Sequence, residues 1–322
     1  MTSYVLDVRN LSTTITTRNS VLNPVDDVSF TLRKGDAVGL VGESGSGKSM
    51  TAFSVLGLPP PPAQVTAGQV LLDGRDIRRL GPASAAHIRG AGIAMVFQDP
   101  MTYLNPLQRI GKQIEEVLVI HHPEMSRRSR REEVTRALRQ VSLEDKRIER
   151  SYPYELSGGM RQRVVIAMAV VGRPLVLLAD EPTTALDVTV QQEVMTLLNT
   201  LRSELQIALL LITHDLALVA EYCDRVYVMY AGRIVESGTV DAVFREPTHP
   251  YTEALIAATP GVTKRVDSFV SIPGSPPNLA ALPLGCRFAP RCAYAFERCR
   301  SEEPPLFDLG VATASRCWLR EG

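Results

Sequence analysis

The first residues whose types and spacing could do chemistry are Gly42-Glu43-Ser44-Gly45-Ser46-Gly47-Lys48-Ser49, which fit G-x-x-x-x-G-K-[ST]. They follow Asp36-Ala37-Val38-Gly39-Leu40-Val41, a run that reads as a short buried strand. In that context the loop is a phosphate site. Gly42, Gly45 and Gly47, with Ser44 and Ser46 between them, let backbone N–H groups curl around phosphates at a helix N-terminus. Lys48 adds a point charge, and the Ser49 hydroxyl can ligate Mg²⁺. An ordinary Gly/Ser loop has no reason to end in Lys-Ser directly after a strand.

A second set of residues narrows the chemistry. Pro174-Leu175-Val176-Leu177-Leu178-Ala179 is aliphatic enough for a strand buried on both faces, and it ends in Asp180-Glu181, where open α/β sheets bind ligands. A further strand-like run, Ala208 to Thr213, ends at His214. Between the loop and the acidic pair lies Leu156-Ser157-Gly158-Gly159-Met160-Arg161-Gln162-Arg163. This octet resembles the signature of ATP-binding cassette proteins, and the resemblance covers most of residues 4–245. It implies ATP as the phosphate ligand, with Mg²⁺ held by Ser49, Gln98 and, through water, Asp180. Glu181 would polarise the attacking water and His214 would hold it in line with the γ-phosphate. Gln98, in Val96-Phe97-Gln98-Asp99-Pro100, matches the family's Q-loop, and Asp187, after Ala185-Leu186, matches its D-loop. Ser157, Gly158, Gly159 and Gln162 would close on the nucleotide of another cassette. One position departs from the pattern: Ile15 stands where cassettes place an aromatic residue against adenine, which leaves base selectivity open.

The elements that must position these residues can be read in outline. Ile110, Ile114, Val117 and Leu118, then Val134, Leu138 and Val141, have helical spacing and predict two amphipathic helices of a helical subdomain over about 99–160. Ser129-Arg130-Arg131-Glu132 fits a capping box, so the basic run Arg127 to Arg131 reads as the solvated start of a helix. His87, His121, His122 and His249 read as solvated, and Cys223 as a buried structural thiol. At 322 residues with 45% hydrophobic content the chain can bury a full core and carry a second small unit. Its formal net charge of zero supports no nucleic-acid partner. The first residues lack the basic and apolar regions of a signal peptide, and no apolar stretch reaches the ~20 residues that span a bilayer. A cytoplasmic protein that meets a membrane only through partners is the expectation.

After Thr239 the chain becomes Pro-punctuated, which places the cassette in residues 1–245 and an appended domain in 246–322. That domain holds Cys286, Cys292, Cys299 and Cys317, separated by five, six and seventeen residues. Without close C-x₂₋₄-C pairs, and with Arg287, Arg291, Arg298, Arg300 and Arg316 nearby, the thiols leave an iron–sulfur cluster and zinc both open. The run Gly285 to Cys292, with Arg316-Cys317 after it and His249-Pro250-Tyr251-Thr252 before, resembles the C-terminal extension of oligopeptide/dipeptide/nickel importer ATPases. That resemblance implies a [4Fe–4S] cluster on the four cysteines, with zinc as the alternative.

The expectation is therefore an α/β P-loop ATP-binding cassette with a helical subdomain and a small Cys-containing C-terminal domain. It would be the ATP-hydrolysing subunit that powers peptide import, at the cytoplasmic face of the membrane. Its implied partners are a second cassette subunit, a heterodimer being favoured over a homodimer, two transmembrane permease subunits and, through the complex, an extracytoplasmic solute-binding protein. The alternatives are the same subunit in a nickel or other small-solute importer and, from another class, a soluble non-transport cassette ATPase.

Overall fold

Unbroken aliphatic runs with no polar alternation become strands buried on both faces, and three of them carry the chemistry outlined above. Ala37–Val41, Val176–Asp180 and Ala208–Thr213 are buried at every residue. The structure, a computed structural model, describes residues 4–18, 20–184, 186–259, 272–310 and 313–321. The chain divides into two compact units, the first taking residues up to Leu6, Leu32–Asp36 and Leu72–Leu210, the second Asp7–Thr31, Ala37–Leu71 and the chain from Leu211 on.

In the first unit Ile93–Val96 pairs in parallel with Val176–Asp180, in the register Ile93↔Val176 to Val96↔Ala179. A parallel pair needs a long crossover. Here the intervening chain forms the helices Ile110–His121, Arg127–Gln140 and Gly158–Val171, which pack on one another. Their shared core contains Ile110, Ile114, Leu118, Val134, Leu138 and Ile166, all nearly inaccessible. The helix Arg127–Gln140 begins earlier than the capping-box spacing suggests. Its N-cap is Ser126, whose side chain accepts from Ser129 N, so the basic run lies inside the helix with Arg128 paired to Glu132 at 3.1 Å. The helix Val188–Leu205 completes this unit, capped by Asp187.

In the second unit hydrogen-bonded neighbours run Phe307–Gly310, Thr313–Ser315, Arg233–Thr239, Arg225–Tyr230, Ala37–Val41. The last pair is parallel, Val38↔Arg225 to Val41↔Val228, and Arg233–Thr239 is antiparallel to Arg225–Tyr230. The strand Ala37–Val41 feeds the loop that opens the helix Lys48–Val55. Residues after 245 belong to this same unit: Pro250–Ala257 is a helix, and Thr313–Ser315 pairs with Arg233–Thr239 through Glu236↔Ser315. Cys223 is half-buried rather than buried.

Candidate functional site

The phosphate loop in the second unit has the shape that its glycines allow. Gly42 and Gly47 take φ of 155° and 107°, and a Cβ at either would meet a backbone oxygen, that of Met229 at 2.1 Å or that of Pro24 at 2.0 Å. Only glycine fits both the torsion and the space. No side chain caps the helix Lys48–Val55, so its first N–H groups face the loop. Lys48 is buried, and its Nζ donates to the carbonyls of Gly42 at 2.8 Å and Glu43 at 3.0 Å. Ser46 Oγ is buried with no hydrogen-bond partner among the described residues, an orphaned polar atom that a phosphate oxygen would satisfy. Ser44 and Gly45 are exposed and Ser49 is half-buried. His214, in the same unit, is exposed at the end of its strand, while Asp215 beside it caps the helix Leu216–Tyr222. Ile15 is a half-buried strand residue of this unit.

The first unit brings Gln98 and Glu181 together. Gln98 Nε2 donates to Glu181 Oε2 at 3.0 Å, and Thr184 Oγ1 donates to the same oxygen at 2.9 Å. Glu181 itself has φ of 45°, a left-handed conformation that costs a non-glycine residue about 1 kcal/mol or more. Asp180 stays buried at the strand end, whereas Glu181 after it is half-buried. Two neighbouring acids thus receive different environments. Thr184 was not singled out from sequence, although its place three residues after Glu181 in a tight turn is the signal for it.

The signature lies at the N-terminus of the helix Gly158–Val171. Ser157 is its N-cap, accepting from Met160 N at 3.3 Å, and Ser157 and Gly158 are exposed. A Cβ on Gly159 would meet Val190 Cγ1 at 2.7 Å, so this glycine also serves the packing of its helix on Val188–Leu205. Gln162 is buried within the chain. Asp187 is exposed and accepts from Val190 N at 3.0 Å as a helix cap. Ala185 lies outside the described residues.

The metal expectation for the C-terminal cysteines is corrected. Cys286, Cys292, Cys299 and Cys317 are free thiols that line one small pocket with His249. Among the described residues, however, no group of three or more His, Cys, Asp or Glu side chains is placed to hold a metal ion. Burial pushes the Cys286 thiol up to about 11 and raises Cys292 and Cys317, which favours the neutral thiol over the thiolate that metal binding needs. Four of the five arginines near the thiols pair with carboxylates instead. Arg287 pairs with Asp26 and Glu303, Arg291 with Glu43, Arg298 with Glu302 and Glu321, and Arg316 with Asp27. Neither a [4Fe–4S] cluster nor zinc is retained. His249 is likewise corrected from solvated to buried at 2% exposure.

Comparison with known proteins agrees with this layout. A family model described as ABC transporter matches residues 25–184, and one described as the oligopeptide/dipeptide transporter C-terminal region matches residues 235–299. The oligopeptide transport ATP-binding protein OppD of Haemophilus influenzae is 48% identical over 316 residues, 98% of this chain and 97% of that one. OppD of Escherichia coli is 47% identical over 315 residues, 98% of this chain and 93% of that one. Both are described as oligopeptide transport ATP-binding proteins. Among solved structures, the dimeric post-hydrolysis state of the ATP-binding cassette MJ0796 bound to ADP and Pi superposes with a TM-score of 0.66 at 28% identity, covering 73% of this chain and 98% of that one. No helix among the described residues is long and apolar enough to cross a membrane. This chain belongs to the ABC transporter family of ATPases, in the group whose members carry the oligopeptide/dipeptide transporter C-terminal region.

Proposed function

We propose that this chain is the ATP-hydrolysing subunit of a peptide importer, seated at the cytoplasmic face of the membrane on two permease subunits. The observation that carries the catalytic part is the Glu181 carboxylate, just past a strand end and held by Gln98 and Thr184. The peptide part rests on near-full-length identity to the two OppD proteins, which favours peptides over nickel or another small solute and over a soluble cassette.

In this reading Gly42, Ser44, Gly45, Ser46, Gly47, Lys48 and Ser49 cradle the phosphates, and Glu181 accepts a proton from the attacking water. His214 and Gln98 hold that water and the γ-phosphate in place. The hydroxyl of Ser49, the amide oxygen of Gln98 and the carboxylate of Asp180 are oxygen donors of the kind Mg²⁺ takes. That ion, when bound with ATP, neutralises charge on the β- and γ-phosphates. Ser157, Gly158 and Gly159 serve the nucleotide of a second cassette, Asp187 lies along the contact between the two, and Gln162, buried within its own chain, is not placed to reach that nucleotide. A second, related cassette is the favoured partner, with a solute-binding protein delivering peptide from outside. Residues 1–245 form the cassette, with 99–160 its helical subdomain, and 246–322 the extension.

Replacing Glu181 with Gln in the assembled transporter tests this. The amide keeps the hydrogen bonds but cannot take the proton, so ATP binding is retained while turnover and peptide uptake fall by about 10²-fold or more. Turnover at the parent rate would remove Glu181 from the mechanism. Parent turnover that peptide-loaded binding protein does not stimulate would remove the peptide assignment.

A further inference from the structure

The phosphate-loop residue Glu43 is held from far outside its own segment. Its carboxylate receives both arms of the Arg291 guanidinium, Nη1 to Oε2 at 2.7 Å and Nη2 to Oε1 at 3.0 Å, a fork that fixes orientation as well as charge. Its backbone N–H donates to the Tyr251 hydroxyl at 2.8 Å. Neither anchor is a surface group: the Arg291 side chain is 5% exposed and Tyr251 is fully buried. Arg291 Nε donates to the Pro273 carbonyl at 2.7 Å, and its guanidinium lies over the rings of Tyr230 and Phe288. Tyr251 packs against the same two rings.

Glu43 in turn touches the groups that would touch phosphate. Its carbonyl accepts from Lys48 Nζ at 3.0 Å and from Ser46 N at 3.2 Å. A carboxylate without its counter-ion here would oppose a triphosphate, because like charges about 12 Å apart at an effective dielectric of about 20 already weaken binding by about tenfold. We propose that Arg291 and Tyr251 are positioning residues for the phosphate loop. Arg291 cancels and orients the Glu43 carboxylate, and Tyr251 fixes the Glu43 backbone. The segment after residue 245 thereby sets the affinity of a nucleotide site that lies 208 and 248 residues earlier along the chain from its two anchors. The inference rests on the reading of residues 42–49 as the nucleotide loop, and the experiment separates the two.

ATP and ADP binding by the full-length chain would be titrated for each variant, with thermal unfolding alongside. Arg291→Gln weakens ATP by about tenfold and ADP by less, since the exposed carboxylate acts on phosphate charge. Adding Glu43→Gln to that variant restores ATP affinity to within about threefold of the parent, a rescue that repair of packing alone would not produce. Tyr251→Phe weakens both nucleotides equally, by about threefold, as the loss of one backbone anchor should. Should Arg291→Gln not fold, Arg291→Lys carries the charge test, retaining ATP affinity within about threefold where loss of the charge gives tenfold. Parent-like ATP affinity in Arg291→Gln, or a loss that Glu43→Gln does not relieve, overturns the proposal. Lys48→Ala is the control: if it binds ATP as the parent does, the loop reading itself falls. If it abolishes binding while Arg291→Gln does not weaken it, only the positioning role falls.

Discussion

Burial holds the His249 imidazole neutral, and this gives the molecule an acid limit that can be measured. The ring is 2% exposed, its Nδ1 accepts from Tyr251 N at 3.0 Å, and its backbone N–H donates to the buried Glu236 carboxylate at 2.9 Å. Desolvation pushes the imidazole down to about 3, against a weaker opposing effect from its hydrogen bond to the Arg316 backbone. Burial raises the Cys286, Cys292 and Cys317 thiols of the same pocket, so these three stay neutral and do not offset it. The folded value lies below the unfolded one of about 6.5, so the unfolded chain takes the proton first. The stability contributed by neutral His249 is therefore fully present above about pH 6.5 and is lost as pH falls toward 3. Below about pH 6 the loss is about 1.4 kcal/mol per pH unit. His249→Asn keeps an acceptor for Tyr251 N but has nothing to titrate. Denaturant unfolding at pH 5 and pH 7.5 should show the parent losing about 2 kcal/mol more than this variant. Equal losses would mean that the ring already meets water. A histidine in a Pro-rich stretch carries no sign of this burial, because the burial comes from Phe288 and the strand residue Glu236, both distant in sequence.

Among the elements, the strands were legible because their signal is local. Val176–Asp180 and Ala208–Thr213 are continuous aliphatic runs of five and six residues, a length that suits a buried strand better than a helix. The start of Arg127–Gln140 was not legible. Ser129 and Glu132 have capping-box spacing, yet Ser126 one turn earlier can cap as well, and Ser126 Oγ is the atom that accepts from Ser129 N at 3.1 Å. Once the helix begins at Arg127, its charges pair at helical spacing, Arg128 with Glu132 and Arg136 with Glu133. Ser126→Ala should then lower stability by about 1 kcal/mol and Ser129→Ala by less than half of that, measured as denaturant midpoints. The reverse order would return the helix start to Ser129. The C-terminal arginines show the same limit on reading from sequence. Arg287 reaches Asp26, Arg291 reaches Glu43 and Arg316 reaches Asp27, and no local pattern encodes contacts across such separations.

At the scale of the whole molecule, one chain carries one phosphate loop and one signature, and under the proposed function its Gly158 serves the nucleotide of a second cassette. The chain leaves that residue free to be tested. Gly158 is exposed, and a Cβ there would meet only Leu186 Cδ2 at 3.8 Å, an ordinary contact. An aspartate at the first turn of Gly158–Val171 would also be favourable to its own helix, since the N-terminal end of the dipole attracts negative charge by about 0.3–1 kcal/mol. Gly158→Asp should therefore fold as well as the parent and bind ATP through its own phosphate loop with unchanged affinity. Its effect should fall on the partner cassette, where the new carboxylate meets the γ-phosphate across the closing interface and repels it. In the assembled transporter this variant should lose ATP turnover by about 10²-fold while the isolated chain titrates ATP normally. Turnover retained in the assembled transporter would mean that this signature closes on no nucleotide. Lost ATP binding by the isolated chain would mean that the substitution acts within its own fold.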